Sequence, residues 1–248
     1  MRITVVTPTY NEAENLPGLV SSLFALPLDL RLLVVDDSST DGTAVLAYQL
    51  AVEHPGRMET LRRPRKSGLR AAYLSGFRRA LAGNAKAIGQ MDADLSHEPG
   101  VLVEMARRLE ACDMVLGSRY IPGGSVDRAW APWRKGLSAF GNLYARVILG
   151  LAVSDSTSGY RLWRRETLAS MPLERVRASG YVFQVEMAYL ADCLKYAICE
   201  VPIYFANRRR GKSKMTLAIQ AEAALRVLQV WWNYRDLRRR GPTGRRSA

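Results

Sequence analysis

Three short stretches of this chain collect polar and acidic residues just after apolar, β-branched runs. Thr7, Pro8, Thr9, Tyr10, Asn11 and Glu12 follow the first run, Asp36, Asp37 and Asp41 the second, and Asp92, Asp94, Ser96 and His97 a later one. Carboxylates at successive strand ends repel one another, and repel phosphate, unless a cation sits among them. A divalent cation carrying a diphosphate is such a ligand. Hard oxygen donors suit magnesium or manganese, which keep waters and share substrate phosphates. Asp92 and Asp94 stand two apart, so at an extended strand end they can serve a nucleotide and a metal together. In isolation Asp92, Ala93 and Asp94 read equally as a turn with helix-capping acids ahead of Pro99. Three acidic sites in series favour the ligand.

The elements that must position these residues follow from pattern. Apolar runs predict strands over 3–6, 32–35, 58–61, 87–91, 114–116 and 198–205. Helical spacing predicts helices over 12–25, 43–52, 69–81, 100–109, 134–149 and 181–194. Short continuous apolar strands with interleaved helices indicate an α/β fold with a doubly wound, mostly parallel sheet. Ligands of such sheets bind beyond the carboxyl ends of the strands, where the acids fall. Residues 120–133 and 155–160 read as loops. Residues 216–237 read as one amphipathic helix, with Glu222, Arg226, Gln229 and Asn233 on a narrow polar stripe and Leu225, Leu228, Trp231 and Trp232 on the broad apolar side. Its charges make it a poor span, and its tryptophans and flanking arginines suit a membrane surface better than packing onto the domain or a second copy.

The net charge is +13, and twelve cationic residues lie from Arg208 onward against only Glu222 and Asp236. Such a tail suits a polyanion or an anionic membrane, or is a solvated end with no partner. Three scattered cysteines predict free thiols in a reducing compartment, and the first strand begins without a leader, so a cytoplasmic protein is expected. Ala206 to Ser213 imitates a P-loop but lacks the first glycine, and arginines fill the loop. Asp37 to Tyr48 imitates a calcium loop without its twelfth-position glutamate. A nucleic-acid-binding reading of the basic tail leaves the acidic strand ends unexplained.

The chain resembles glycosyltransferase family 2, with its GT-A fold, and within it the polyprenyl-phosphate mannosyltransferases. The opening Pro8 to Glu12, then Val34 to Asp37 and Asp92 to His97, carry the broad likeness. The narrower one rests on Gly117 to Tyr120, Trp133 to Lys135, Thr157 to Arg161, Gly180 to Met187, and Arg208 with Gly211 to Lys214. The likeness spans about residues 2–215, leaving 216–240 as the amphipathic helix and 241–248 as a basic disordered tail.

The resemblance implies that Pro8, Tyr10, Glu12, Val35 and Asp37 hold the nucleoside, with Asp92 and Ala93 against the nucleotide. Asp92, Asp94 and Ser96 form the metal set, for Mg2+ or Mn2+. Ser96 stands where relatives often carry glutamine, and a water would bridge its shorter reach. Arg119 and Arg134 clamp acceptor and donor phosphates, and Arg208 and Lys214 close over the diphosphate. Asp92, Asp94, Arg119 and Arg134 are thus the catalytic set. The implied reaction moves mannose from GDP-mannose to a polyprenyl monophosphate with inversion, at the cytoplasmic face of a membrane. Many relatives carry membrane-spanning helices after the catalytic domain; here the amphipathic helix or a membrane-protein partner would serve. The alternative within the family is glucose transfer from UDP-glucose. Nucleic acid is not an expected partner.

Overall fold

The computed structural model describes residues 1–207 and 217–239. Arg208, Lys214, the P-loop-like segment beyond residue 207 and the basic tail lie outside the described residues.

A seven-stranded sheet runs in the order β3 (Met58–Arg62), β2 (Leu30–Asp36), β1 (Ile3–Thr9), β4 (Ala87–Gln90), β7 (Arg161–Arg164), β5 (Met114–Ser118), β8 (Ile198–Pro202). All neighbours pair in parallel except β7, which runs antiparallel to both β4 and β5. The chain grows outward from β1 through β2 and β3, then restarts on its other side with β4. The ends of β1, β2 and β4 therefore flank a topological switch point, the usual ligand crevice of an open α/β sheet.

Strand alternation explains the two cores. Ile3, Val5, Leu32 and Val34 face one way and pack with α1 (Leu16–Phe24), α2 (Thr43–Glu53) and α4 (Val101–Arg108). Val6, Leu33 and Val35 face the other way, toward α3 (Leu69–Ala82), α5 (Pro132–Leu149), α6 (Arg165–Ser170) and α7 (Tyr181–Cys193). Successive side chains on a strand point to opposite faces, so helices cover both. Gly76 lets α3 approach β1 and β2: a Cβ there would strike Val6, and would stand 2.9 Å from Val35 Cγ2.

Three expectations need correction. The 198–205 run divides into β8 and a short β9 (Tyr204–Phe205) that pairs with β6 (Ser125–Val126) in a second, two-stranded sheet. β7 was not expected, because it is four residues long and both begins and ends on arginine. Nor are the three cysteines all free. Pairing of β5 with β8 brings Cys112, two residues before β5, near Cys199 of β8, with Cα atoms 6.0 Å apart, and the two form a disulfide. Only Cys193, buried on α7, is a free thiol. The compartment inferred from three free thiols loses its basis.

The C-terminal helix α8 (Leu217–Asn233) packs its Val227 and Val230 inward, beside α5 and α7. Tyr144 of α5 donates to Ala224 O at 3.2 Å. Tyr234, fully buried after α8, donates to Glu186 of α7 at 3.0 Å. Arg175 grips Asp236 of α9 (Arg235–Arg239) through two bonds of 2.8 and 2.9 Å. The helix thus docks on the domain while Leu225, Leu228, Trp231 and Trp232 stay exposed. Neighbouring α5 exposes Trp133, Phe140, Leu143 and Val147 at one-face spacing. No helix among the described residues is long and apolar enough to cross a membrane.

Candidate active site

The three predicted strand ends meet. Asp37 N–H donates to Thr9 O at 2.9 Å, and Met91 N–H to Val6 O at 3.3 Å, so the β1, β2 and β4 ends lie side by side. Each turn carries a non-glycine residue in the left-handed region: Asn11 (φ 61°), Ser38 (φ 67°) and Leu95 (φ 58°). Backbone strain of this kind is held only where the surroundings fix it, and it concentrates at ligand sites.

On the β1 and β2 side, Asp37 is nearly buried and accepts the N–H groups of Ser67 at 3.0 Å and Gly68 at 2.7 Å, and pairs with Arg63. It thereby caps the start of α3. Pro8 and Tyr10 are half-buried, and Lys66 Nζ lies 3.3 Å from the Tyr10 ring centroid. Glu12 accepts from Asn15 at 2.7 Å, and its own N–H donates to Thr43 Oγ1 at 2.9 Å. Val35 pairs with Pro8 across the strands, but its side chain lies in the core under α3.

Five residues beyond Gly68, roughly 7.5 Å along the helix axis, Tyr73 of α3 donates to Asp92 Oδ1 at 3.2 Å. Burial first, and then the Asp92 charge, raise the Tyr73 phenol well above its usual pKa, so it stays a donor. One helix therefore connects Asp37 with Asp92. Asp94 accepts both the N–H (3.1 Å) and the hydroxyl (2.5 Å) of Ser96, and both residues are buried, as is Ala93. His97 Nε2 stands 3.8 Å from Asp92 Oδ2, and neither ring nitrogen has a partner among the described residues. Burial, followed by the opposing pull of Asp94, leaves this imidazole at about 4, so it is neutral near pH 7.

The arginines approach from β5 and α5. Arg119 directly follows β5, and its Nε and Nη2 grip Asp155 at 2.7 and 2.8 Å, with Nη2 also reaching Thr157 at 2.6 Å. Burial opposes ionisation of this pair, but mutual attraction outweighs it, raising Arg119 and lowering Asp155. Arg134, in the first turn of α5, lies 3.7 Å from the Trp130 ring centroid. Phe205 joins the groups: His97 lies 5.1 Å away, Arg119 5.3 Å and Trp130 5.7 Å. Contacts through His97, Phe205 and Trp130 thus connect Asp92, Arg119 and Arg134 in series. Beside them, Tyr120, Val126, Trp130 and Gly136 line an apolar cleft of about 340 Å³.

Several participants carried no local signal. Asp155 lies in the stretch read only as a turn, Lys66 in a basic run, and Tyr73 and Phe205 in ordinary core patterns. Only contact across the fold marks them.

The pattern of glycosyl transferase family 2 matches residues 4–171. The polyprenol monophosphomannose synthase of Mycolicibacterium smegmatis is 42% identical over 94% of this chain and 88% of its own. The undecaprenyl-phosphate mannosyltransferase of Micrococcus luteus is 41% identical over 92% and 93%. Among solved structures, glucosyl-3-phosphoglycerate synthase from Mycobacterium tuberculosis, bound to Mn2+, UDP and glucosyl-3-phosphoglycerate, superposes with a TM-score of 0.63 at 21% identity. It covers 92% of this chain and 78% of that one, and at this identity it shows the shared fold alone. By both its sequence and the crevice it builds at the ends of β1, β2 and β4, this chain is a member of glycosyl transferase family 2.

Proposed function

We propose that this chain is an inverting mannosyltransferase that moves mannose from GDP-mannose to a polyprenyl monophosphate, giving a β-linked polyprenyl phosphomannose. One observation carries the reading. Asp92, at a strand end, is linked through the His97 and Phe205 rings to the buried guanidinium of Arg119, in a chain whose relatives are named for mannosyl transfer to polyprenyl phosphates.

The acceptor needs little activation. A phosphate monoester has a second pKa near ~6, so it is largely dianionic at neutral pH and can attack the anomeric carbon without a strong base. The harder task is to bring two phosphorylated molecules together. Asp155 occupies Nε and Nη2 of Arg119, which leaves the Nη1 donors for an anion. Arg134, stiffened by Trp130, supplies a second fork. Arg208 and Lys214 would join from outside the described residues. On the donor side, Pro8, Tyr10, Glu12 and Asp37 would receive the nucleoside. Val35 would contribute through its backbone, since its side chain is in the core.

The donor set fits a hard divalent cation. No third His, Cys, Asp or Glu joins Asp92 and Asp94 in a ligating group among the described residues. Mg2+ or Mn2+ held there would complete its shell with water and diphosphate oxygens. Ser96 donates its hydroxyl to Asp94, which supports a role in aiming that carboxylate. When bound, the ion would neutralise charge on the departing diphosphate.

The lipid acceptor must be met at a membrane. The exposed apolar faces of α5 and α8 lie on packed helices, and the arginines around them suit anionic headgroups. We place the chain peripherally on the cytoplasmic leaflet through this surface, alone or with a membrane-protein partner.

An assay of GDP-mannose, UDP-glucose and UDP-N-acetylglucosamine against polyprenyl phosphate, with and without Mn2+, tests the reading. Metal-dependent transfer from GDP-mannose alone is expected. Preferred transfer from UDP-glucose would overturn the donor assignment.

A further inference from the structure

Near Asp92 runs a chain of three buried side chains whose hydrogen bonds can point only one way. Trp163 of β7 donates its indole N–H to Gln90 Oε1 at 2.7 Å, and an indole can only donate. The NH2 of Gln90 is therefore left for Gln184, whose Oε1 accepts it at 3.3 Å. With that oxygen taken, the Gln184 NH2 group turns away from Gln90. Gln90 and Trp163 are fully buried and Gln184 is 3% exposed, so water does not scramble this order.

The position it faces is marked by a missing side chain. A Cβ on Gly159 would lie 3.3 Å from Gln184 Nε2 and 3.5 Å from each Asp92 carboxylate oxygen. Gln184 Nε2, a fixed donor, and the Asp92 carboxylate, an acceptor, thus come together beside the Gly159 backbone, where any side chain would press on both. The frame is rigid. Buried Arg161 holds the carbonyls of Ser156 and Gln184 with Nη2 at 3.0 and 2.7 Å, and that of Ser158 with Nε at 3.0 Å.

We propose that Gln184 contacts the sugar being transferred, donating to one of its hydroxyls while that hydroxyl donates to Asp92. A hydroxyl both gives and accepts, so an amide N–H beside a carboxylate is its complement. A sugar lacking that hydroxyl leaves the Gln184 amide N–H without its acceptor, and an unmet donor of this kind discriminates strongly against a near-isostere. Gln90 and Trp163 are positioning residues that set which end of the Gln184 amide faces the sugar. The inference rests on the reading that a nucleotide sugar sits against Asp92.

Titration calorimetry on the full chain with Mn2+ tests it, using GDP and GDP-mannose as probes. Gln184→Leu should weaken GDP-mannose about ten- to hundredfold and leave GDP within about twofold, which also reports an intact fold. Gln184→Glu keeps the size but loses the donors, and should weaken GDP-mannose at least as much with GDP again retained. Among GDP-deoxymannose analogues, one should bind the leucine variant and the wild type equally. Unchanged GDP-mannose affinity in both variants, or equal loss of GDP and GDP-mannose, would overturn the role of Gln184. A wild-type chain that binds no nucleotide sugar would instead sink the donor reading itself.

Discussion

The two sides of the crevice are built differently. The donor side uses residues a few positions apart at the ends of β1, β2 and β4, held by backbone turns. The proposed acceptor side, whose arginines would also clamp the donor phosphate, is assembled from distant parts: Arg119 from just after β5, its partner Asp155 from 36 residues later, Arg134 from α5 and Phe205 from β9. Chemistry that depends on a local turn can be written as a short motif. Chemistry that depends on a buried ion pair needs the whole fold to be in place first. The two sides should therefore respond differently to mutation: donor-side changes should remove activity from a stable protein, and acceptor-side changes should cost stability as well.

The largest effect should come from Asp94→Ala. Its carboxylate is aimed by Ser96 and takes no part in the apolar core. We expect transfer to fall by at least about a thousandfold, since charge stabilisation of the leaving group is usually the dominant contribution, with the melting temperature little changed. Initial rates and a thermal melt measure both. A folded variant with full activity would remove the metal reading.

Asp155→Asn should show the contrasting behaviour. The side chains of Arg119 and Asp155 are 8% and 0% exposed, and removing one charge strands the other. Breaking such a buried pair costs about 3–5 kcal/mol, or roughly 6–20 °C in a chain of this size. Burial opposes ionisation of Asp155 but Arg119 outweighs it, so its carboxyl is held below the usual aspartate range in the folded state; its contribution is complete above that range and is lost as the pH falls through the lower folded value. The wild-type melting temperature should therefore drop on acidification below about pH 4 more steeply than that of the variant. Similar acid profiles would mean that the pair contributes little.

How much of this was legible follows the same division. The strand ends at Glu12, Asp37 and Asp92 could be read because acids recur after three separate apolar runs, a series that one capping or turn role does not predict. The partner of Arg119 could not, because one acid among Ser, Thr and Gly reads as a turn. β7 was missed because both faces of this central strand are covered, so it needs no alternation, and four residues flanked by arginine give too short a run. The C-terminal helix was recognised but its orientation was not. Its apolar residues extend around most of its circumference, so pattern alone could not tell Val227 and Val230, which meet the domain, from Leu228 and Trp232, which do not. The cysteine pair depended on the register of β5 against β8, which no local spacing encodes.

We propose that the exposed faces of α5 and α8 extend the acceptor side to the membrane. Replacing Phe140 and Trp232 with serine removes two large exposed side chains, each more than half accessible, without touching the buried face. Activity on long-chain acceptor in anionic vesicles should fall about tenfold, and on a short water-soluble acceptor by less than about twofold. Sedimentation with vesicles should fall in parallel. Equal losses on the two acceptors would show that these residues serve the domain and not the lipid surface.

The smallest effect sharpens the donor side. Lys66 lies over one face of the Tyr10 ring, and in the proposed reading a nucleobase takes the opposite face. A cation over a half-exposed ring stabilises it by about 0.5–1 kcal/mol, so Lys66→Ala should weaken GDP about two- to fivefold and Lys66→Arg should restore it. The sign is the informative part. If the base instead takes the face that Lys66 now covers, the lysine must be displaced for binding, and its removal should strengthen affinity. A loss restored by arginine would therefore place the base on the free side of Tyr10, and a gain would place it under the 62–68 loop.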